Sequence, residues 1–565
     1  MKSLLLLLAS NATLHAFCQQ PLAIPDTLQG PNISLVMHQD SVQFFPGQIS
    51  YTYAFNTANF LGPTLILNQG DNVNITVENL IGDTTTVHWH GIHLPAVYDG
   101  GPHTPILPGE IWNPSFTVMD HAATYWYHPH MHMKTAEQAI KGAAGLIIVN
   151  DPIEAALDLP RDYGVDDFPL VVQCQEWDAN NQVLPLGMQD SIVMINGTLD
   201  PYLDIPAQVV RFRMLNASGE RTFNFGFTGN MPFYQIASDG GLLNDPVLTT
   251  RVRLSPGERA EVLLDVSAML GQTFYLMCYG TELPMGVQGG PTMPMPPGSP
   301  PMDSPLNGVD YNMMQLNVVA ATPGAVTSIP LSLATNTPHL ESSADAYRTI
   351  KFTADSAMVM DGPFYFNDST FNMMRIDYTI PLNSVEVWEL INETMVAHPF
   401  HIHDVQFFIL NRNSIPPTAQ ESGRKDVVLV ASGDTLRFIT KFEDFADPVI
   451  PYMYHCHILM HEDDGMMGQF IVHPSAIGLD ESEKENSLTV YPNPANDILT
   501  VILDNHPESG MVKYEIVDIS GKIVAMGNCI VYDKKMQLDV SELSPGTYLV
   551  QVRINNELQI IKMLK

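Results

Sequence analysis

A chain of 565 residues exceeds what a single hydrophobic core holds, so several domains are expected. Its formal net charge of −35 argues against a nucleic-acid binder, because such a surface repels phosphate and gathers cations. Charged residues make up only 15% while 38 Gly and 43 Pro punctuate the chain, which favours a β-rich architecture with many turns.

The N-terminus reads as a secretory signal over residues 1–18. Lys2 precedes the apolar run Leu4 to Ala9, and the small Ala16 lies near a cleavage point. Cys18 raises the possibility of a lipoprotein, but Phe17 before it fits poorly, and ordinary cleavage is preferred. No later segment offers about twenty consecutive apolar residues, so no membrane span is expected in the mature protein.

Residues 25–152 carry alternating runs such as Asn74 to Glu78 and end in the apolar strand Ala144 to Asn150 before Asp151-Pro152. They hold two histidine motifs, H-W-H (His88, His90) and H-P-H-M-H (His128, His130, His132). Residues 153–322 show strand-like runs at Pro169 to Gln175, Val209 to Leu215 and Ala260 to Val266 but no metal motif, and read as a spacer. Near their end, Met285 to Met314 is rich in Met, Pro and Gly, too Pro-rich for a helix or central strand, and reads as a loosely packed loop. Residues 323–475 carry H-P-F-H-I-H (His398, His401, His403) and Y-H-C-H-I-L-M-H-E-D-D-G-M-M (Tyr454 to Met467). An acidic, polar stretch over residues 476–487 reads as a linker to a small β-rich unit, residues 488–565. Five cysteines form no disulfide framework. Cys174 and Cys278 could pair or be separately buried, and Cys529 lies in the tail.

Random placement of the 19 histidines gives roughly one H-x-H pair, and the chain has five. On an extended Tyr454 to Ile458, Cys456 faces one way and His455 and His457 the other, so one strand can feed two metal sites. Cys456 with His461 and Met466 makes a blue-copper set of thiolate, imidazole and thioether. His401 and His403 share a face, whereas His398 has the opposite parity and can join Cys456. A zinc protein or scattered core histidines is the plain alternative, but a closed zinc site needs only about four ligands, and these clusters offer many more.

The four clusters, in this order, resemble those of multicopper oxidases of the laccase-like family. That likeness implies an all-β chain of three cupredoxin-like Greek-key domains, here followed by a small C-terminal β-sandwich. It implies four copper ions: one type 1, one type 2 and two type 3. His398, Cys456, His461 and Met466 match the type 1 ligands, and His88 and His401 match type 2. His90, His128 and His457 match one type 3 ion, and His130, His403 and His455 the other. His93 and His132 fall outside the family's ligand set. Asp99 and Glu462 match family acids that supply protons to the cluster; on their own chemistry they could equally form a turn with Gly100-Gly101 and orient a ligand.

The implied activity is one-electron oxidation of a substrate coupled to reduction of dioxygen to water. The Met-rich stretch resembles the insertion over the type 1 site in bacterial cuprous oxidases of copper efflux, which implies Cu(I) as reductant, since thioethers favour that ion. Before His398, Glu393 and Met395 have fitting chemistry but sit one position away from the family's substrate-holding pair. Oxidation of phenols or aromatic amines is the rival reading, a non-catalytic copper-sequestering protein a further one, and a two-centre nitrite reductase is disfavoured by the histidine count. In the tail, Y-P-N-P-A-N-D (Tyr491 to Asp497), D-I-S-G-K (Asp518 to Lys522) and L-S-P-G-T-Y (Leu543 to Tyr548) resemble the sorting domain of the type IX secretion system. This implies that machinery as a partner, and a secreted or cell-surface protein exported through the periplasm of a Gram-negative bacterium.

Overall fold

A computed structural model describes residues 19–56, 60–185, 189–292, 304–356, 359, 362–474, 488–503, 509–518, 522–554 and 557–565. The expected leader, the linker and the centre of the Met-rich stretch (293–303) lie outside the described residues. Contacts divide the chain into two compact units, residues 1–475 and 476–565. Both are built of strands, and among the described residues no helix is long and apolar enough to cross a membrane.

The larger unit contains three pairs of sheets. In the first pair, one sheet runs Thr27–Gln29, Thr64–Asn68, Gly145–Asn150, Ala123–His128, His88–His90, and the other is built on Ser50–Phe55, Asn32–Val42 and Asn72–Leu80. Asn72–Leu80 alternates polar-out and apolar-in, as a strand covered on one face must. Leu35, Phe55, Val77, Trp89, Tyr125 and Tyr127 fill the space between the two sheets.

In the middle pair, the seven-stranded sheet includes Asp167–Gln175, Val209–Asn216 and Arg259–Asp265, and the six-stranded sheet includes Val252–Leu254, Thr273–Tyr279 and Asp310–Val319. Asp167–Gln175 and Val209–Asn216 are buried along their whole length, so their charges must be paired inside the protein. Arg211 bonds Glu154 and Glu261, and Arg213 bonds Asp167 and Glu261. Thr124 adds a hydroxyl to Glu261 at 2.7 Å, tying the first pair of sheets to the middle one. Cys174 and Cys278 are both free thiols in the middle core. Met313 and Met314 correct one expectation. They belong to the strand Asp310–Val319 and are buried in that core, so the Met-rich loop ends before them.

The third pair contains Ala346–Ala354, Val385–Asn392 and Thr435–Lys441 in one sheet, and Met467–His473, Asp447–Cys456, His398–Ile402 and Val427–Val430 in the other. Phe352, Trp388, Phe400, Phe438 and Tyr454 pack between them. The smaller unit is a seven-stranded antiparallel ladder from Leu488–Tyr491 to Glu557–Leu564 around Leu499, Val501, Ile516, Val550 and Val552.

Candidate metal centre

Strand register assembles the site. His398–Ile402 runs antiparallel to Asp447–Cys456, with Phe400 opposite Cys456 and His401 opposite His455. Side chains alternate along each strand, so Cys456 points into the apolar core with Phe400 while His401 and His455 emerge on the other face. In the first pair of sheets, His88 lies opposite His128 and His90 opposite Trp126. Trp89 and Tyr127 take the core side, which leaves these histidines facing outward from that core.

On the core side, Cys456 Sγ is 3.6 Å from His398 Nδ1 and 3.5 Å from His461 Nδ1. His461 is presented by the short helix Leu459–Asp463. Met466 is fully buried, and its backbone is tied to both partners: its N–H donates to His461 O at 2.7 Å, and its carbonyl accepts from Cys456 N at 3.0 Å. The Phe364 ring lies 4.7 Å from the His398 ring and 4.5 Å from that of His461, which keeps the pocket apolar. Burial pushes the Cys456 thiol well above its usual range, so a metal must displace a proton to bind there. Burial likewise lowers His461 to about 3, leaving a neutral imidazole suited to a soft cation.

On the other face, His88, His90, His128, His130, His401, His403, His455 and His457 converge, each at most 1% exposed. Nitrogen pairs approach closely: His90 Nδ1 to His128 Nε2 at 3.4 Å, His457 Nε2 to His90 Nδ1 at 3.3 Å, His130 Nε2 to His455 Nε2 at 3.1 Å and His403 Nε2 to His455 Nε2 at 3.4 Å. The outer nitrogens decide what these contacts are. His88 and His401 donate from Nδ1 to the carbonyls of Asp99 and Asp426, each at 2.8 Å, and His128 to that of Pro129 at 2.8 Å. His455 donates from Nδ1 to Cys456 O at 3.0 Å, His403 from Nδ1 to Asp99 Oδ2 at 2.7 Å, and His90 from Nε2 to Asp426 Oδ1 at 3.1 Å. With the outer nitrogen carrying the proton, each inner nitrogen presents a lone pair. Lone pairs facing lone pairs at such distances fit a cation between them. The inner Nε2 atoms of His88 and His401 are buried with no hydrogen-bond partner. Ligand atoms within 4.8 Å of one another form the sets His90/His128/His457, His130/His403/His455 and His398/Cys456/His461, and His88 and His401 form another with His90. Burial holds His90, His128, His401 and His403 well below the usual imidazole range, His130 at about 4 and His457 at about 3. The donor set therefore fits several copper ions.

Asp99 reaches two of these histidines, holding His403 with its carboxylate and His88 with its carbonyl. Glu462, from the helix that carries His461, lies 3.1 Å from His455 Nδ1 and 3.4 Å from His130 Nδ1. Burial alone would raise its pKa, but His130 and His455 outweigh that and hold the carboxyl well below its usual range. His132 stacks edge-on against Phe371, and His93 is held between Asp404 (2.9 Å) and Asp444 (3.1 Å); neither faces the converging nitrogens.

Sequence reasoning missed three contributors. Thr394 Oγ1 lies 2.9 Å from His398 Nε2 and 2.8 Å from Asn392 Oδ1, so the ring donates to the hydroxyl and the hydroxyl to the amide. Glu393, expected beside His398, instead forms an exposed pair with Lys351 at 2.7 Å, and Met395 is half-buried. Asp426 and, behind it, Arg259 reach the cluster from a strand edge and from the middle segment. An isolated Asp heading the apolar run Val427 to Val430 was the only visible signal. The start of the Met-rich stretch is sewn to the residue before His398: Ala397 N donates to Gly286 O at 2.7 Å, and Gln288 Nε2 to Ala397 O at 3.2 Å.

Residues 38–154 and 342–476 match profiles described as multicopper oxidase, and residues 489–565 match the secretion system C-terminal sorting domain. A multicopper oxidase (mco) of Staphylococcus haemolyticus is 32% identical over 450 residues, covering 78% of this chain and 88% of the relative. The cell division protein FtsP of Xenorhabdus nematophila is 30% identical over 425 residues, 74% of this chain and 84% of that protein. A solved structure is similar at 34% identity and a TM-score of 0.70, covering 80% of this chain and all of the other. It is the laccase-like CueO of the lignin-degrading bacterium Ochrobactrum sp., described as having oxidase activity towards lignin model compounds and lignosulfonate.

Proposed function

The chain belongs to the multicopper oxidase family, and from that premise we propose that it oxidises Cu(I) one electron at a time at the His398/Cys456/His461/Met466 site and reduces dioxygen to water at the eight-histidine cluster. Copper bound at these two places would supply reversible one-electron chemistry at the first and a multi-electron oxygen sink at the second. His88 and His401 would hold the type 2 ion. His90, His128 and His457 would hold one type 3 ion, and His130, His403 and His455 the other.

The observation that carries this reading is the parity of one strand. Cys456 faces the core while its chain neighbours His455 and His457 face the cluster, so a few covalent bonds join the electron inlet to the oxygen site. The core side is apolar, and the anchors on Asp99, Asp426, Pro129 and Cys456 fix His88, His401, His128 and His455 in the tautomer that binds metal. Asp99 Oδ2 and Glu462 Oε2 sit within reach of His403 and His455 and are the groups we assign to proton delivery.

Cu(I) is favoured over a phenol because the Met-rich stretch is hydrogen-bonded to Ala397, beside His398, and its Met285 is 54% exposed. Thr394 occupies the place where a carboxylate next to His398 would strengthen that reading, and the lignin-related activity of the Ochrobactrum relative favours aromatic donors as the second reading. The test is side-by-side kinetics with Cu(I) and a phenolic donor, in the parent and in a variant with Met285, Met293, Met295 and Met302 changed to Ser. Selective loss with Cu(I) supports the proposal; equal loss with both makes the stretch structural, and copper-loaded protein that consumes no oxygen with either donor ends the enzyme reading.

The C-terminal sorting domain, with the leader expected from the sequence, supports export and the type IX machinery as partner. Cell fractionation of the parent and of a chain truncated after residue 475 tests this; retention of the truncated form inside the cell is the expected result.

A further inference from the structure

We propose that the middle segment, which holds none of the twelve residues assigned above as copper ligands, is a positioning element for one ion of the type 3 pair, that of His90, His128 and His457, acting through Gly257 and Arg259. This rests on the ligand assignment above.

Gly257 lies in the turn between the strands Val252–Leu254 and Arg259–Asp265, and Arg259 opens the second of them. The turn is rigidly held: Glu258 Oε2 accepts from the N–H and the hydroxyl of Ser255, each at 2.7 Å, and Gly257 N–H donates to Asn216 O at 2.9 Å. Gly257 has a φ of +84°, and a Cβ there would lie 2.8 Å from His457 Cδ2 and 2.9 Å from Cγ. The backbone of the middle segment is therefore the wall against which the His457 ring rests.

Arg259 is fully buried and every one of its five N–H groups is used. Nε donates to Thr124 O (3.0 Å), Nη1 to Gly257 O (3.1 Å) and Asp426 Oδ1 (2.6 Å), and Nη2 to Asp239 O (2.9 Å) and Asp426 Oδ2 (2.6 Å). The guanidinium fork fixes both oxygens of Asp426, and Asp426 Oδ1 in turn accepts from His90 Nε2. That bond leaves His90 Nδ1 as a bare lone pair facing His128 and His457. Asp239 completes the frame, taking Arg259 N–H at 2.8 Å and Lys425 Nζ at 2.8 Å.

The two histidine triads are thus held differently. His130, His403 and His455 are anchored by Glu462, Asp99 and Cys456, all from the first and third pairs of sheets. Among the described hydrogen bonds none reaches them from the middle segment. His90 and His457 both depend on it, one through a carboxylate it orients and one by direct packing.

The experiment compares copper-loaded parent with Asp426→Asn, Arg259→Lys, Arg259→Met and Gly257→Ala, with Gly271→Ala as control. Gly271 shares the segment and a φ of +77° but has nothing near its Cβ, so it reports backbone strain alone. Copper per chain, the near-ultraviolet absorption of the paired ions and the red absorption of the thiolate site are measured on folded protein. The expected result is a weakening of copper affinity at the pair by about tenfold or more in Asp426→Asn, Arg259→Met and Gly257→Ala. The near-ultraviolet band falls, the red band stays, Arg259→Lys keeps more of the band than Arg259→Met, and Gly271→Ala matches the parent. Full copper and an unchanged near-ultraviolet band in Asp426→Asn and Gly257→Ala would overturn the proposal. So would parallel loss of the red band, which would mark a global effect. A parent that binds no copper refutes the ligand assignment itself and is seen before any variant is compared.

Discussion

The Cys456 site and the eight-histidine cluster share one strand yet are built in opposite ways. Cys456, His461 and Met466 fall within eleven consecutive residues, and only His398 comes from elsewhere in the same pair of sheets. The cluster takes four histidines from the first pair of sheets and four from the third, and rests on the middle segment behind them. A locally built site needs one domain to fold; a site built at a seam needs every neighbour in register. The first should therefore tolerate damage at the seam, and the second should not.

The largest expected effect sharpens this contrast. Cys456→Ser removes the thiolate, so the red absorption and substrate-driven oxygen uptake should both fall to background while most cluster copper remains. Loss of all copper in that variant would break the contrast, because it would make the cluster depend on the local site. Next come the acids at the seam. Glu462→Gln and Asp99→Asn should each slow oxygen reduction by about 10²–10⁴-fold if they handle protons, with the red band of the resting protein unchanged. A rate reduced in step with copper content would instead assign them to orienting His130, His455 and His403. Smaller still is Thr394→Val. His398 loses the acceptor for its Nε2 proton, and copper affinity at the mononuclear site should drop about tenfold with the near-ultraviolet band intact.

The smallest effect concerns pH. His93 is pulled down by burial, but Asp404 overcomes this and raises it to about 10, bridging the first pair of sheets to the third. A raised histidine pKa contributes stability that is fully present below the unfolded value of about 6.5. That contribution is lost as pH rises through about 10. His93→Gln should therefore lower the melting temperature by roughly 1–2 °C near neutral pH and by less above pH ~10. An equal deficit at both pH values would mean that the charge on His93 adds nothing to the seam.

The convergence of these side chains was legible in the sequence because the candidate ligands are few, chemically distinctive and spaced by strand parity. Cys456 against His455 and His457, and His398 against His401, follow from alternation alone. Contacts whose partners are distant in sequence were not legible. Arg259 sits in an apolar strand run and meets Asp426 only because the middle segment folds over the seam. Glu393 and Met395 look suited to hold a cation, yet the backbone turns Glu393 to Lys351 and brings Thr394 to the ring. Met313 and Met314 read as more of a Met-rich loop, although the strand that holds them lies in the core. Composition identifies a residue's chemistry; only the pairing of strands says which way it points.

The most direct test of the account is the visible spectrum of fully copper-loaded parent beside Cys456→Ser, with copper counted in both. Intense red absorption is expected in the parent, none in the variant, and a difference between them of about one copper per chain. Fully metallated parent with no such absorption, or zinc in place of copper, would contradict it.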